Sequence, residues 1–426
     1  MKERQRKKYK YKNYPKEKKI LLKYKKKNFK KKKYYIFSNY KLVIISLLLI
    51  FFIIIQRKKQ NNLYPFTQEN ITDINQTIIS EQKYDIFERM KLKYSKDPKY
   101  NPFLEKITII VHIYNEKYLY IKNRKNNIHI CVSLNNKYLY PMLVSIESVL
   151  MNCNKINTFI IYHVLCHPDL TEDNLSILKS LMNKYSLNLE MIFYNMSNSF
   201  TNRDSERYSP ATYYKMLTPI FVENDRILYL DGDTLIFKDL YDMYQMDFNN
   251  NYVLGAYDYY SDGVDYLGIK SKKYINAGVI LLNLEKIRND KMYELIDVIN
   301  NRCITLKAND QTLINYVFYP NIGRLPSKYI IFNFHDESDI KVYLKIIRTE
   351  VNYNELLEAF KDPTIIHSVL CWPKLWSKYP QYAQCCTACN NRHNCDCTKY
   401  HSLWYSFANK TDYYKQILNY YGKKAN

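Results

Sequence analysis

From Ile128 onward the chain alternates between two kinds of apolar pattern. IHICVSL (128–134), TFIIYHVL (158–165) and LEMIFYNM (189–196) are short, nearly continuous apolar runs, as in strands buried on both faces. Between them, YPMLVSIESVLMNC (140–153) and NLSILKSLMNKY (174–185) place apolar residues at helical spacing. Strand and helix in alternation predict an α/β domain with a Rossmann-like, mixed or mostly parallel sheet flanked by helices. Ligands in such sheets bind at the carboxyl ends of the strands. The run Ile107–Ile113 reads as one more strand that could pack on this body.

Another short apolar run, Ile227–Leu230, stops at Asp231-Gly232-Asp233 before a second run resumes. If the tip is still extended, positions i and i+2 project to the same side, and Asp231 and Asp233 face one ligand with Gly232 as the tight backbone between them. Two carboxylates this close repel unless a cation lies between them, and their hard oxygens suit Mn²⁺ or Mg²⁺. A solvated turn is the plain alternative for an Asp-Gly-Asp tripeptide.

Upstream of the alternating region the pattern changes twice. Leu42–Ile55 is an apolar run broken only by Ser46; starting at Tyr34 it reaches 22 residues, enough for a bilayer span of about 20. Tyr34 and Tyr35 would sit at the interface, with Lys41 snorkelling. The flank IIIQRKKQ lacks the small residues of a cleavage site, so an uncleaved signal-anchor is expected over a signal peptide. Residues 1–33 carry eighteen Lys or Arg against two Glu, so most of the net charge of +23 is local. That distribution argues against a general nucleic-acid binder and, by the positive-inside rule, puts the N-terminal side in the cytoplasm and the rest of the chain in a lumen. The polar stretch that follows holds glycosylation acceptors at Asn70 and Asn75, with further ones at Asn174, Asn195 and Asn409. With 426 residues, 47% of them hydrophobic, the chain has room for one large or two medium globular bodies. Glycine is scarce: six of its seven lie between Gly232 and Gly323.

From about Ile128 to Trp376 the residues resemble the retaining glycosyltransferases of family 8, which have a GT-A fold. Seven blocks carry the likeness in the family's order: HICVSLNNKYLYPMLVSIESVL, FIIYHVLC, SPATYYKML, RILYLDGDTLIFKDL, YINAGVILLNLEKIR, DQTLINYVF and IIHSVLCWPKLW. The resemblance implies that Asp231 and Asp233 bind the metal with His367 as third ligand, a set suited to octahedral Mn²⁺, with Mg²⁺ as alternative. It implies that Asn276, Ala277 and Gly278 let the donor sugar lie against backbone. Asp310 and Gln311 would bind sugar hydroxyls, with Gln311 near the anomeric carbon, although Asp310 also suits a helix N-cap. Asn135, Tyr138, Lys215 and Asp258 complete the substrate-binding set. Gln311 and Lys374 take the catalytic roles, Lys374 offsetting charge on the leaving diphosphate. No Asp or Glu stands out as a nucleophile, so retention implies front-face attack with the leaving phosphate helping to deprotonate the acceptor.

The implied activity moves a hexose, glucose or galactose, or alternatively xylose, from a UDP-sugar to a glycan or glycoprotein acceptor. Three departures from the family pattern bear on it. Asn135 and Asn136 stand where an acidic residue usually holds the nucleotide, and Lys215 stands where an Arg usually follows Tyr-Tyr. In HSVLCWPKLW, Leu370 and Leu375 replace a glycine and a proline, and the loop is one residue longer. A catalytically impaired, sugar-nucleotide-binding relative is therefore the alternative, and a membrane-tethered adaptor whose biological role survives Asp231→Asn is a third. The expected organisation is a disordered cytoplasmic tail (1–33), a transmembrane signal-anchor (34–56), a stem (57–127), a GT-A domain (128–380) and a Cys-rich extension (381–426). The expected location is the Golgi or another secretory-pathway membrane, single-pass and type II. In the extension, Cys386, Cys389, His393, Cys395 and Cys397 could hold zinc in a reducing compartment, whereas an oxidising lumen favours disulfides, with Cys371 making the local cysteine count even. The closing YHSLWYSFANKTDYYKQILNYY reads as helix packing an aromatic face on the body, and His163 and His335 read as structural.

Overall fold

The computed structural model describes residues 110–113, 126–196, 209–258, 273–298, 310–334, 336–347, 351–369, 371–372, 374–377, 384–385 and 398–423. All belong to one of the chain's two compact units, Thr72–Asn426. The tail, the signal-anchor, Asn70, Asn75, His335 and the cysteine cluster from Cys386 to Cys397 lie outside the described residues. Among the described residues no helix is long and apolar enough to cross a membrane.

In chain order the first half is β1 (Ile110–Ile113), β2 (Asn126–Leu134), α1 (Leu139–Asn152), β3 (Thr158–Cys166), α2 (Glu172–Lys184) and β4 (Leu189–Asn195). Each helix has a local reason to start where it does. Asn135 Oδ1 accepts from Tyr138 N–H at 3.0 Å, closing a short 3₁₀ turn that leads into α1. Thr171 caps α2, whose first turn carries Glu172 and Asp173 and whose last carries Lys184, matching the helix dipole. The second half runs β5 (Arg226–Leu230), β6 (Thr234–Ile236), β7 (Val253–Tyr257), β8 (Ile275–Asn283), α3 (Asp310–Phe318), β9 (Ile322–Arg324), β10 (Ile330–Phe332), α4 (Glu337–Ile347), α5 (Tyr353–Lys361), β11 (Ile365–His367), α6 (Thr398–Ala408) and α7 (Tyr414–Lys423).

Eight strands form one mixed sheet, in the order β1-β4-β3-β2-β5-β8-β7-β9. Its half built from β4, β3, β2 and β5 is parallel; β8 enters antiparallel between β5 and β7. Ile128, Ile130, Ile160, Tyr162, Leu189, Leu228, Ile280 and Leu281 are all 0% exposed, each worth about 1.5–3 kcal/mol on leaving water, so the sheet centre rather than helix propensity carries the fold. The run predicted as a strand before Ile113 forms β1 and adds antiparallel to β4.

A second sheet of three short strands, β10-β11-β6, delivers His367 to the site. β11 lies parallel to β10 and antiparallel to β6, with His367 opposite Thr234. The last residue of β11 is thereby brought beside Asp233, and Ser368 N–H closes the contact by donating to Asp233 O at 2.9 Å.

Candidate active site

Asp231-Gly232-Asp233 is a turn between β5 and β6, not the extended tip expected from strand alternation. The backbone of the turn is what aims both carboxylates one way. Asp231 N–H donates to Gly278 O at 2.7 Å, and Thr234 Oγ1 donates to Asp231 O at 2.8 Å while meeting Ser145 Oγ of α1. The tight glycine is Gly278 rather than Gly232. A Cβ at Gly232 would lie 3.4 Å from the Met142 methyl, whereas one at Gly278 would lie 2.1 Å from His367 Cε1 and 2.6 Å from Asp231 Oδ2.

One ligand atom each from Asp231, Asp233 and His367 falls within 4.8 Å of the others. His367 Nε2 is 3.1 Å from Asp233 Oδ1 and 3.8 Å from Asp231 Oδ2. His367 and Asp233 are buried, and the Asp231 side chain is 37% exposed, so the cluster opens on Asp231. The buried Nδ1 of His367 has no hydrogen-bond partner among the described residues; Asp233, the Phe332 ring and the Gly278 cradle orient the imidazole. Two carboxylates and one imidazole Nε2 are a donor set that fits a divalent cation.

Two lysines flank the carboxylates. Lys374 Nζ lies 2.5 Å from Asp233 Oδ2. Burial pulls the Asp233 carboxyl upward, but Lys374 and His367 outweigh it and hold it well below the usual carboxylate range. On the lysine, burial is in turn outweighed by Asp233, which raises the ammonium above its ordinary value. Lys215 is buried, 2.8 Å from Asp310 Oδ2, 3.1 Å from the Ala277 carbonyl and 3.7 Å from Asp231 Oδ1. Its ammonium therefore spends its protons inside the protein, linking Asp231 to Asp310.

The remaining predicted residues line the adjoining wall. Asp310 is the first residue of α3 rather than the residue before it, and burial raises its carboxyl despite Lys215. Gln311 Oε1 accepts from Asn276 Nδ2 and from Ala277 N–H, both at 3.2 Å. Asn276 Nδ2 also donates to Asp258 Oδ2 at 2.7 Å, and Gly278 N–H donates to Asn276 Oδ1 at 2.9 Å. Asn276, Ala277 and Gly278 lie inside β8, near its start. On the other wall, Asn135 uses its carboxamide oxygen on the Tyr138 amide. The Tyr138 hydroxyl is pushed up by burial, against the pull of Lys374, and its ring meets Trp376 edge-on at 5.8 Å. Eleven of the thirteen residues named from the sequence are thus joined to one another by these contacts, and Asn135 and Tyr138 stand just after β2, where Tyr138 meets Trp376 of the turn that carries Lys374. One contributor was missed: Tyr229, inside RILYL, whose ring lies 4.1 Å beneath Lys215 Nζ. Its apolar surroundings gave it the look of plain core.

Residues 129–369 match the family model described as glycosyl transferase family 8. The chain belongs to that family. Its family-8 domain is a glycosyltransferase domain. It is 29% identical over 119 residues to glycosyltransferase GlyE of Streptococcus pneumoniae, covering 28% of this chain and 27% of that protein, so the match spans about a quarter of that relative. It is 22% identical to the lipopolysaccharide 1,2-glucosyltransferase of Escherichia coli, covering 56% of this chain and 75% of that one. The galactosyltransferase LgtC, solved with donor and acceptor sugar analogues, superimposes with a TM-score of 0.51 at 19% identity, covering 68% of this chain and 100% of that chain. The last likeness establishes the mixed α/β GT-A-like fold.

The expected Golgi location is corrected by the same findings. These relatives are bacterial proteins, and no described helix can span a bilayer. That expectation rested on the apolar run from Tyr34 and the basic tail before it, both outside the described residues.

Proposed function

We propose that the family-8 domain is a divalent-metal-dependent, retaining glycosyltransferase that moves a hexose from a UDP-sugar to a glycan or glycoprotein acceptor. The observation that carries this reading is the convergence of Asp231, Asp233 and His367, with Lys374 on the same carboxylate. The names of two relatives, a glucosyltransferase and a galactosyltransferase, support glucose or galactose as the sugar. The carboxylate-rich donor set supports Mn²⁺, with Mg²⁺ as the nearest substitute.

A divalent ion held by Asp231, Asp233 and His367 would offset the charge that gathers on the diphosphate as the glycosidic bond breaks. Lys374 supplies a second positive charge on the same side, at a cation kept protonated by Asp233. Gln311 is pinned through its carbonyl by Ala277 and Asn276, and its side chain also hydrogen-bonds Tyr274, so the carboxamide assigned to the sugar is held in one orientation. Asp310 and Asp258 are each tied to a donor of the protein, Lys215 and Asn276. Both are thereby suited to accept from sugar hydroxyls rather than to attack the anomeric carbon. Retention then proceeds by front-face attack, with the acceptor proton passing to the leaving phosphate.

Release of UDP from UDP-glucose and UDP-galactose, followed with Mn²⁺ and with EDTA, tests this reading. The expected result is metal-dependent release that falls by about a hundredfold or more in Asp233→Asn, the scale of losing charge stabilisation in the transition state. Tight UDP binding with no release from any UDP-hexose would instead favour the impaired relative.

A further inference from the structure

The family match ends at residue 369, yet the segment that brings Lys374 to Asp233 lies beyond it and leans on elements later still. Lys374–Ser377 forms a turn closed by Ser377 N–H donating to Lys374 O at 2.9 Å. Its Trp376 is buried at the junction of three parts of the chain. One edge meets Tyr138, on the loop after β2. The other side meets Trp404 of α6 at 6.0 Å and Tyr421 of α7 at 6.4 Å. Tyr405 Oη of α6 donates to the Trp376 carbonyl at 3.1 Å.

The two helices are themselves fastened to the body at points away from the site. Tyr400 Oη donates to the Phe334 carbonyl, and Phe407 packs edge-on against Phe237 at 5.4 Å. Asp412 pairs with Lys184 of α2 at 2.9 Å, and Tyr413 Oη donates to the Ile177 carbonyl at 3.2 Å. Trp404, 1% exposed, is among the largest fully buried side chains described. A support of this kind restrains the short turn from Lys374 to Trp376, in which a single residue, Leu375, separates the anchored tryptophan from the lysine.

We propose that α6 and α7 form an aromatic clasp that holds the Lys374–Trp376 turn closed over Asp233 before any substrate binds, making Tyr405 and Trp404 positioning residues for Lys374. The role assigned to Lys374 rests on the reading above; the clasp itself does not. A group acting on a leaving diphosphate loses effect steeply with small displacements, and the clasp removes from substrate binding the cost of ordering this loop.

Deleting α6 and α7 would strip the core, so the test uses Tyr405→Phe, which removes one hydroxyl, in the full chain with EDTA present. Lysine acetylation rates are read by mass spectrometry on wild type, Tyr405→Phe and Asp233→Asn, with Lys238 as internal reference and thermal melting to confirm folding. A Lys374 amine released from Asp233 reacts faster. The clasp requires Lys374 labelling to rise about three- to tenfold in Tyr405→Phe, the scale of one hydrogen bond, and at least as much in Asp233→Asn, with Lys238 unchanged. A wild-type rate at Lys374 in Tyr405→Phe overturns it, whatever Asp233→Asn does; so does a wild-type rate in Asp233→Asn. In UDP-hexose release, Tyr405→Phe should lower kcat more than it raises the donor KM, and the double variant with Lys374→Gln should be no slower than Lys374→Gln alone. A multiplicative double variant contradicts the clasp. An inactive wild type would remove the proposed reaction and leave the labelling result to decide the clasp.

Discussion

Gly278 shows how much of the site hangs on a missing side chain. Its backbone carbonyl accepts from Asp231, its amide donates to Asn276, and the space above its Cα is filled by His367. Gly278→Ala would drive a methyl into Cε1 of a ring packed on all sides, and an overfilled core of this kind costs about 1–3 kcal/mol. The imidazole must tilt away from the two carboxylates. We expect divalent-metal affinity to fall at least about tenfold, the effect of misorienting a ligand, with only a modest drop in the urea midpoint; an unchanged affinity would mean that His367 does not ligate. Lys215 illustrates the opposite case. It stands where the family has arginine, and a compact ammonium with three protons suits three partners, Asp310, Ala277 O and Asp231, better than a planar fork would. From the sequence the lysine counted as one of the departures that point to an impaired relative. The position joins Asp231 to Asp310, and the ring of Tyr229 beneath it offsets part of the cost of burial.

At the scale of elements, the long strands and helices were legible because their apolar spacing is set locally. β2, α1, β3, α2 and β4 all appear where the pattern put them. The three-residue strands β6, β10 and β11 are too short to show a period, and the pairing of β11 with β6 joins positions about 130 apart in sequence, which no local pattern shows. The strand-like run Pro363–Ile366 put His367 at a strand end, as β11 shows, but its place in an ordered set of family blocks is what marked it as a ligand. The turn at Asp231–Asp233 was misread as a strand tip for a related reason: apolar runs on both sides mask a reversal that hydrogen bonds to β8 impose. Glu355 of α5 ties down the edge strand β9 of the large sheet and the loop after it, accepting from Arg324 Nη1 at 3.0 Å and from Ser327 N–H at 2.7 Å. Burial pulls the Glu355 carboxyl up, but Arg324 and the Ser327 amide outweigh it and lower it below its ordinary value. A depressed folded-state pKa gives stability that is present above the unfolded value of about 4.3 and is lost as the pH falls through that window. Glu355→Gln should cost about 1–2 kcal/mol at pH 7, with the gap to wild type closing below about pH 4. Urea unfolding at pH 7 and pH 3.5 checks this, and a gap that widens in acid would contradict the assignment.

Across the whole molecule, the site lies where the sheet changes character. β5 is parallel to β2 on one side and antiparallel to β8 on the other, so its carboxyl end meets the glycine of β8, the end of β11 and the turn held by α6 and α7 in one place. The charge is distributed to match: the great excess of Lys and Arg lies in residues 1–33, while at the site two lysines face three carboxylates, Asp231, Asp233 and Asp310. Under the proposed reading a divalent cation offsets that excess of negative charge. The most direct measurement is a Mn²⁺ titration of the full chain with UDP present, followed by electron paramagnetic resonance, on wild type and on His367→Ala. The account expects one bound ion per wild-type chain and an affinity at least about tenfold weaker without the imidazole. Equal binding by the two proteins, or none by wild type, would contradict it.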